Sequence, residues 1–379
     1  MRVLITGHSY IVGFNQRKLD EISGMGIELA ALVPENWKHI EGLFEGEPSP
    51  VERPFQSFRV LSGPVIRPGH VASFLFAPGV VRRALREFAP DIVQIEQEVY
   101  SFAAAQVSLA ASAAGKKVVL FSWENLDRRV HFLQRIARRI AVRKIDGIIS
   151  GNRAGEALMR KWGFRGETAV IPQVGVDTSV FAPRPRDSAG RLTLGFVGRL
   201  VPEKGIGTLL RAAALLAEKG FDFDLLICGA GPEGKALVRE ASQLGIAPRV
   251  TWQEAVPHAE VPGVMSRMDV LVLPSLGIPS WTEQFGLVLA QAMAMGIPVL
   301  GSDSGAIPEV IGRTDAIFPE GNAAALAALL ETVLSSPARR GELRDHGLAR
   351  VQALYSKQRV AERTVEFWQH VANTPRSRA

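Results

Sequence analysis

Cysteine is nearly absent from the sequence: Cys228 stands alone among 379 residues. A single thiol excludes an intramolecular disulfide framework and a zinc site built on several cysteines, and it points to a reducing compartment. Long apolar runs are missing too. The longest uncharged stretch, Val99 to Gly115, is rich in Ala and Ser and falls short of the ~20 apolar residues a spanning helix needs. It reads as a helix buried between layers. The opening MRVLITG is too short for the apolar region of a signal peptide, so a cytoplasmic protein, soluble or peripheral, is expected. No basic motif with interleaved aromatic residues is present, which argues against a nucleic-acid partner.

What is present is ordinary globular material. Hydrophobic residues make up 47% and charged residues 22%, which rules out wholesale disorder. Single cores stop growing beyond roughly 250–300 residues, so two domains are expected. Acids are the scarcer charge, 38 against 44 bases, leaving a net charge of +6. That imbalance fits an anionic ligand, an anionic surface or plain solubility.

Short apolar runs alternate with helical patterns along the whole chain. Strands are expected at Arg2–Thr6, Glu28–Val33, Ile92–Glu96, Lys117–Phe121, Gly147–Ser150 and Ala169–Ile171. Six more follow at Thr193–Val197, Asp224–Cys228, Val250–Trp252, Val270–Leu273, Val299–Gly301 and Ala316–Phe318. Many are continuous apolar runs, as parallel strands covered on both faces require, and the helices between them imply right-handed βαβ units. The fold class is therefore α/β, with one doubly wound parallel sheet in each half. Phe181–Gly190, with two prolines and a closing glycine, reads as the linker. The expected domains are 1–182 and 191–355, followed by a helix over 356–373. Pro34 to Pro78 reads as irregular chain, either an acceptor-contacting excursion or a solvated one.

Chemistry-bearing patterns concentrate in the second half. Gly229-Ala-Gly231-Pro-Glu-Gly234 follows a strand and opens a helix, the fingerprint of a dinucleotide site, with Glu254 as a ribose ligand. An NAD(P)-dependent oxidoreductase is thus one reading, although glycine also serves close packing at such turns. Gly198-Arg199 ends the first strand of this half, and Lys204 precedes Gly205 and a helix. A planar fork beside a point charge suits phosphate oxygens, unless Lys204 merely pairs with Glu203 or another acid. Farther on, Glu283-Gln284-Phe285-Gly286 opens a helix at Leu287, whose N-terminus offers free N–H groups to an anion. Glu283, an acceptor-only carboxylate, suits sugar hydroxyls beside that anion or simply complements the helix dipole. Asp222-Phe-Asp224 has the look of a metal-binding acid pair, but it enters a strand rather than leaving one. No metal and no cofactor are expected.

Together GFVGRL-x2-EKG, LLICGAGPEG and PS-x6-EQFGLVLAQAMAMGIPVLGSDSGAIPEVIG resemble the retaining GT-B glycosyltransferases of family 4. The resemblance covers the second half and continues more weakly through Ile95–Ser101, Phe121–Asn125, Ser150–Asn152 and Ile171–Asp177. It implies two Rossmann-like domains facing a cleft, with the last helix crossing back onto the first. It also implies transfer of a sugar from a nucleotide-diphosphate sugar to a hydroxyl acceptor. Arg199 and Lys204 would then hold the donor diphosphate and Glu283 the sugar hydroxyls. Phe285, Gly286 and Leu287 would supply backbone contacts. The family's second glutamate, a ribose ligand, is Gln291 here, which keeps a non-catalytic nucleotide-sugar-binding subunit as an alternative. In the first half, Gly13 stands where the family has a glycine pair near the diphosphate. His8, Glu98, Glu124 and Asn125 are the acceptor-side candidates. Attack from the front face is expected, since no carboxylate is placed as a covalent nucleophile.

The basic excess has one dense locus, Asp127–Asp146, where Val130, Leu133, Ile136, Ala137, Ile140 and Ala141 follow a helical period among arginines. Either the apolar stripe packs on the sheet, or the helix attaches to anionic lipids on the inner face of the membrane, suiting a lipid-linked acceptor.

Overall fold

The computed structural model describes residues 1–37, 49–184 and 190–375. These form two units, one of Met1–Gly175 with Lys357–Ala379, the other of Val176–Ser356.

The first unit is built on strands β1 (Arg2–Thr6), β2 (Glu28–Pro34), β3 (Asn36–Trp37), β4 (Ser49–Pro50), β5 (Arg59–Gly63), β6 (Val65–Ile66), β7 (Leu75–Phe76), β8 (Ile92–Glu96), β9 (Lys117–Ser122), β10 (Gly147–Ser150) and β11 (Glu167–Val170). Seven of them make a parallel sheet in the order β11-β10-β9-β8-β1-β2-β5. Val3, Leu4 and Ile5 pair with Leu29, Ala30 and Ala31 on one side and with Ile92, Val93 and Gln94 on the other. All of these side chains are buried, so both faces of the central strands are covered. The covering helices are α1 (Gly13–Ser23), α2 (Val80–Phe88), α3 (Phe102–Ala113), α4 (Phe132–Lys144) and α5 (Arg153–Lys161).

The second unit holds β12 (Leu192–Val197), β13 (Phe223–Cys228), β14 (Val250–Gln253), β15 (Val270–Leu273), β16 (Val299–Ser302) and β17 (Ile317–Phe318), in the parallel order β14-β13-β12-β15-β16-β17. Its helices are α6 (Ile206–Glu218), α7 (Gly234–Gln243), α8 (Val261–Met265), α9 (Leu287–Ala294), α10 (Ile307–Ile311), α11 (Ala323–Ser335) and α12 (Pro337–Arg350). The last helix, α13 (Lys357–Asn373), belongs to the first unit. Its Trp368 is fully buried, and the indole N–H donates to Gln94 Oε1 at 2.5 Å.

In each sheet the strand order reverses direction once. The reversal lies between β8 and β1 in the first unit and between β12 and β15 in the second. Connections leave such a pair toward opposite sides, opening a crevice at the strands' carboxyl ends. Both groups of candidate residues lie at these points.

Four expectations need correction. The stretch Pro34 to Pro78 contains β5, which pairs parallel with β2 from Ala30↔Arg59 to Pro34↔Gly63, and two short antiparallel pairs. Strand β5 is an edge strand and only partly covered, so RVLSG lacks a continuous apolar run. The passage between units falls at Gly175–Val176, ahead of 181–190, because Phe181 is buried in the second unit against His258. Positions 185–189 of that linker lie outside the described residues. Helix α3 is not enclosed between layers: one face covers the sheet while Leu109 stands 42% exposed. In α4, Ala137 and Ala141 alone face inward, whereas Phe132, Leu133 and Ile136 are 53%, 45% and 47% exposed. The large members of the apolar stripe therefore point to solvent. No described helix is long and apolar enough to cross a membrane.

Candidate active site

The second-unit crevice begins where β12 ends. Gly198 N–H donates to the Cys228 carbonyl at 3.0 Å and Leu200 N–H to Ala230 O at 2.9 Å, so the chain after β12 runs closely along the loop after β13. This explains the glycines there. A Cβ on Gly229 would meet Gly198 O at 1.8 Å, and one on Gly231 would meet Leu200 O at 2.3 Å. The Gly229–Gly234 pattern is thus accounted for by backbone packing, and Glu254, its supposed ribose ligand, is exposed.

Past Leu200 a 3-10 turn, Pro202–Lys204, ends at Gly205 with φ +65°. A Cβ there would meet Pro274 O at 2.0 Å. Only glycine tolerates both the left-handed backbone and this approach, which presses Lys204 against the loop after β15. Leu276 N–H donates to Glu203 O at 2.8 Å and locks that contact.

Lys204 Nζ lies 2.6 Å from Glu283 Oε2, with the two side chains 15% and 8% exposed. Ser275 Oγ donates to the same oxygen at 3.1 Å. The ammonium also stands 4.8 Å from the centre of the Trp281 ring. Glu203, the neighbour in sequence, faces Arg199 instead at 3.7 Å. The backbone of Glu283 is fixed from behind, its carbonyl accepting from Ala306 N–H at 2.9 Å. Gly305, at φ +54°, makes room, since a Cβ would meet Glu283 O at 2.1 Å. Gly286, at φ +74°, then turns the chain into α9. Phe285 is buried and packs edge-on to Tyr355 at 5.4 Å, and Leu287 opens the helix. Gln291, buried on α9, shares a hydrogen bond with His258 at 3.1 Å between their Nε2 atoms. Sequence reading missed Trp281, His258 and the Ser304–Ala306 support, and had Ser275 in the motif ahead of Glu283 without a role. The SDSGAIPE segment was visible as a motif, without a role.

Asp222 and Asp224 lie at the other end of β13. Asp222 pairs with Arg191 at 2.9 Å and Arg249 at 3.2 Å, and Asp224 with Arg191 at 3.7 Å. Arginines already neutralise this acid pair. Among the described residues no cluster of three metal-ligating side chains occurs.

The first-unit crevice gathers the other candidates. His8 follows β1 in a 3-10 turn, stacks on Trp37 at 4.9 Å and shares a 2.8 Å hydrogen bond between Nδ1 and Gln97 Nε2. Burial pulls its imidazole down to about 4, so it is neutral near pH 7. Glu98 accepts from the Ser122 hydroxyl and, at 3.3 Å, from Trp123 N–H. Burial, opposed by the Ser122 bond and reinforced by Glu124, pushes its carboxyl up to about 7. Glu124 is buried, accepts from Tyr100 at 3.0 Å and pairs with Arg128 at 3.1 Å. Asn125 follows on the same loop. Beneath them Glu96 takes donors from Lys18 at 3.5 Å, Gln94 at 2.7 Å and Gln173 at 2.6 Å. This network ties α1 to β8 and was not anticipated. Gly13 opens α1, but its N–H is already bound by the Glu52 carboxylate, and a Cβ there would meet Glu52 and Pro54 within 2.8 Å. The close approach expected of a diphosphate is made here by the chain itself.

Comparison with known proteins shows what the chain resembles. Residues 183–349 match the family described as glycosyl transferases group 1. A 2-deoxystreptamine glucosyltransferase of Streptomyces kanamyceticus is 27% identical over 67% of this chain and 70% of its own length. A D-inositol 3-phosphate glycosyltransferase of an Arthrobacter species is 36% identical over 51% of this chain, a match spanning about half, 48%, of that relative. The crystal structure of Anabaena HepE in complex with UDP superposes with a TM-score of 0.72 over 98% of this chain and 100% of that one, at 18% identity, which establishes the fold alone. The second unit is thus similar to the glycosyl transferases group 1 family over residues 183–349, and by its two parallel sheets the chain has the GT-B fold.

Proposed function

We propose that the protein transfers a sugar from a nucleotide-diphosphate sugar to a hydroxyl acceptor, with retention at the anomeric carbon and without a metal ion or cofactor. The observation that carries this reading is the Lys204–Glu283 pair, held at the β12/β15 crevice beside Arg199 and the N-terminus of α9. Breaking the sugar–phosphate bond loads negative charge on the leaving diphosphate while the sugar gains oxocarbenium character. Arg199, Lys204 and the N–H groups following Gly286 stabilise that charge, each such donor contributing about 3–4 kcal/mol to lowering the barrier. Glu283, oriented by Ser275 and Ala306, positions sugar hydroxyls. The acceptor hydroxyl attacks from the face the diphosphate leaves, which requires no enzymic nucleophile. Gly198 allows close approach of the donor, whereas the space at Gly229 is taken by the Gly198 carbonyl, and Gln291, steadied by His258, hydrogen-bonds the ribose. UDP in the Anabaena neighbour makes uridine donors the first to try.

Glu98, Glu124 and Asn125, with His8, form the acceptor side. The outward apolar residues and arginines of α4 favour attachment to an anionic membrane surface, which suits a lipid-linked acceptor in glycan or cell-envelope synthesis on the cytoplasmic side. The relatives' printed names, which include amylovoran and colanic acid biosynthesis, support that setting. NMR of the product from a panel of nucleotide sugars with EDTA present tests the reaction. Retained anomeric configuration is expected; inversion, or activity restored only by Mg²⁺, overturns it.

A further inference from the structure

A groove of about 930 Å³ runs between α2 and α3 in the first unit. Its volume comes from the sequence of α3, which presents Ala110 and Ala113 where larger side chains would close the gap. The wall on α2 is Val81 and Leu85, both buried, and Leu109 stands exposed at the rim. Gln106 is the polar side chain of the floor. Its amide is committed to the Phe76 backbone, accepting from the N–H at 2.9 Å and donating to the carbonyl at 2.7 Å. The bottom of the groove is therefore apolar in effect.

The charges around it are of one sign. Arg82 and Arg86 lie one turn apart on α2, and Lys116 lies past the end of α3. Among the described residues no acid lines the groove. Glu87, the sole acid of α2, faces Arg83 at 3.9 Å instead. A purely apolar ligand has no use for three cations, and a purely polar anion gains nothing from the alanine-lined trough. A ligand with one apolar chain and an anionic head satisfies both parts.

We propose that this groove binds the chain of a single-chain anionic amphiphile, with Arg82, Arg86 and Lys116 holding its acidic head. The site is distinct from the β12/β15 crevice and does not depend on the reaction assigned there. Helices α2, α3 and α4 pack in succession, so the groove shares a helical layer with the exposed apolar face of α4. That neighbour is the rival location for the same ligand.

Calorimetric titration of the full chain with octyl, decyl and dodecyl phosphate below their aggregation limits tests the proposal. One saturable site is expected, tightening up to about fourfold per added methylene, the ratio that about 0.8 kcal/mol per buried CH₂ gives. Inorganic phosphate and decyltrimethylammonium should not compete. The double substitution Arg82→Glu with Arg86→Glu should weaken decyl phosphate by at least about tenfold, as loss of two charge-assisted contacts implies. Ala110→Trp should abolish binding, and Ala113→Trp, at an exposed position, does the same if the first variant folds poorly. Ile136→Asp on α4 should leave it unchanged. Equal binding by the groove variants, equal binding of the cationic amphiphile, or loss of binding in Ile136→Asp overturns the proposal.

Discussion

Glu283→Gln keeps the size of the side chain and deletes the charge that Lys204 faces at 2.6 Å. Removing one partner of a fully buried pair costs about 3–5 kcal/mol, because the other charge is left without compensation. Lys204 is 15% exposed and retains a route to water, so the cost should fall to about 2–3 kcal/mol. For a unit of this size that lowers the melting temperature by about 4–12 °C. Lys204→Met removes the cation facing Glu283 instead, whose carboxylate is 8% exposed and accepts from Ser275; a similar loss is expected. The double variant removes both charges and should be less destabilised than the sum by about 1–2 kcal/mol. Turnover should respond differently. In the proposed reaction each single variant loses a group engaged at the reacting centre, so kcat should drop about 100- to 1,000-fold, and the double variant should recover none of it. Thermal melts and initial rates of nucleoside diphosphate release on all four proteins complete the cycle. Additive stabilities would show that the pair carries no coupling, and turnover of Glu283→Gln within about threefold of wild type would refute its role in the reaction.

Three further outcomes follow from the geometry. Glu98 has its carboxyl raised from 4.5 to about 7, so the folded state holds a proton the unfolded chain has lost. Its contribution to stability is complete below about pH 4.5 and disappears as pH rises through about 7, with a slope of at most about 1.4 kcal/mol per pH unit; Glu98→Gln should flatten that slope in melts from pH 5 to 8, and an unaltered slope would rule out the assignment. Phe132→Ser with Ile136→Asp should reduce co-sedimentation with anionic vesicles at least about fivefold, since two exposed apolar anchors are lost; binding that persists, or is equal on neutral vesicles, removes the membrane reading of α4. If Gln291 holds the ribose as proposed, Gln291→Glu gives it an acceptor-only partner and should tighten donor binding by about three- to tenfold, measured as KM; a weaker donor would place Gln291 outside the nucleotide site.

Much of the fold is legible in the sequence because parallel strands covered on both faces are continuous apolar runs. Val270–Leu273 is such a run, Arg2–Thr6 holds one in Val3–Ile5, and both begin and end as read, as does Ile92–Glu96 despite its Gln94 and Glu96. Strand β5 escapes notice for the same physical reason: as a half-covered edge strand between prolines it needs no such run. At the site, Arg199, Lys204 and Glu283 are legible as charged residues at strand ends beside glycines. Their partners are not. Glu283 is 79 positions from Lys204, and only the sheet order, with β15 beside β12, brings them together. Periodicity likewise marks α4 as amphipathic but cannot say which face turns inward. Packing against α3 admits the small Ala137 and Ala141 and leaves Phe132, Leu133 and Ile136 outside. The raised Glu98 carboxyl depends on burial beside Glu124, 26 positions on, and has no local signature.

The central claim is that the crevice at the carboxyl end of β12 cleaves the bond between a sugar and a nucleoside diphosphate. Arg199 provides the most direct test, since its side chain is 57% exposed and faces Glu203 only at 3.7 Å. A pair so placed adds little to stability, so Arg199→Ala should melt with the wild type. Nucleoside diphosphate release should be followed for both proteins across a panel of nucleotide sugars in EDTA. The account predicts turnover of at least one donor by the wild type and a loss of about 100-fold or more in Arg199→Ala. Equal rates in the two proteins, or no donor cleaved by the wild type in the presence of lipid and soluble acceptors, would contradict it.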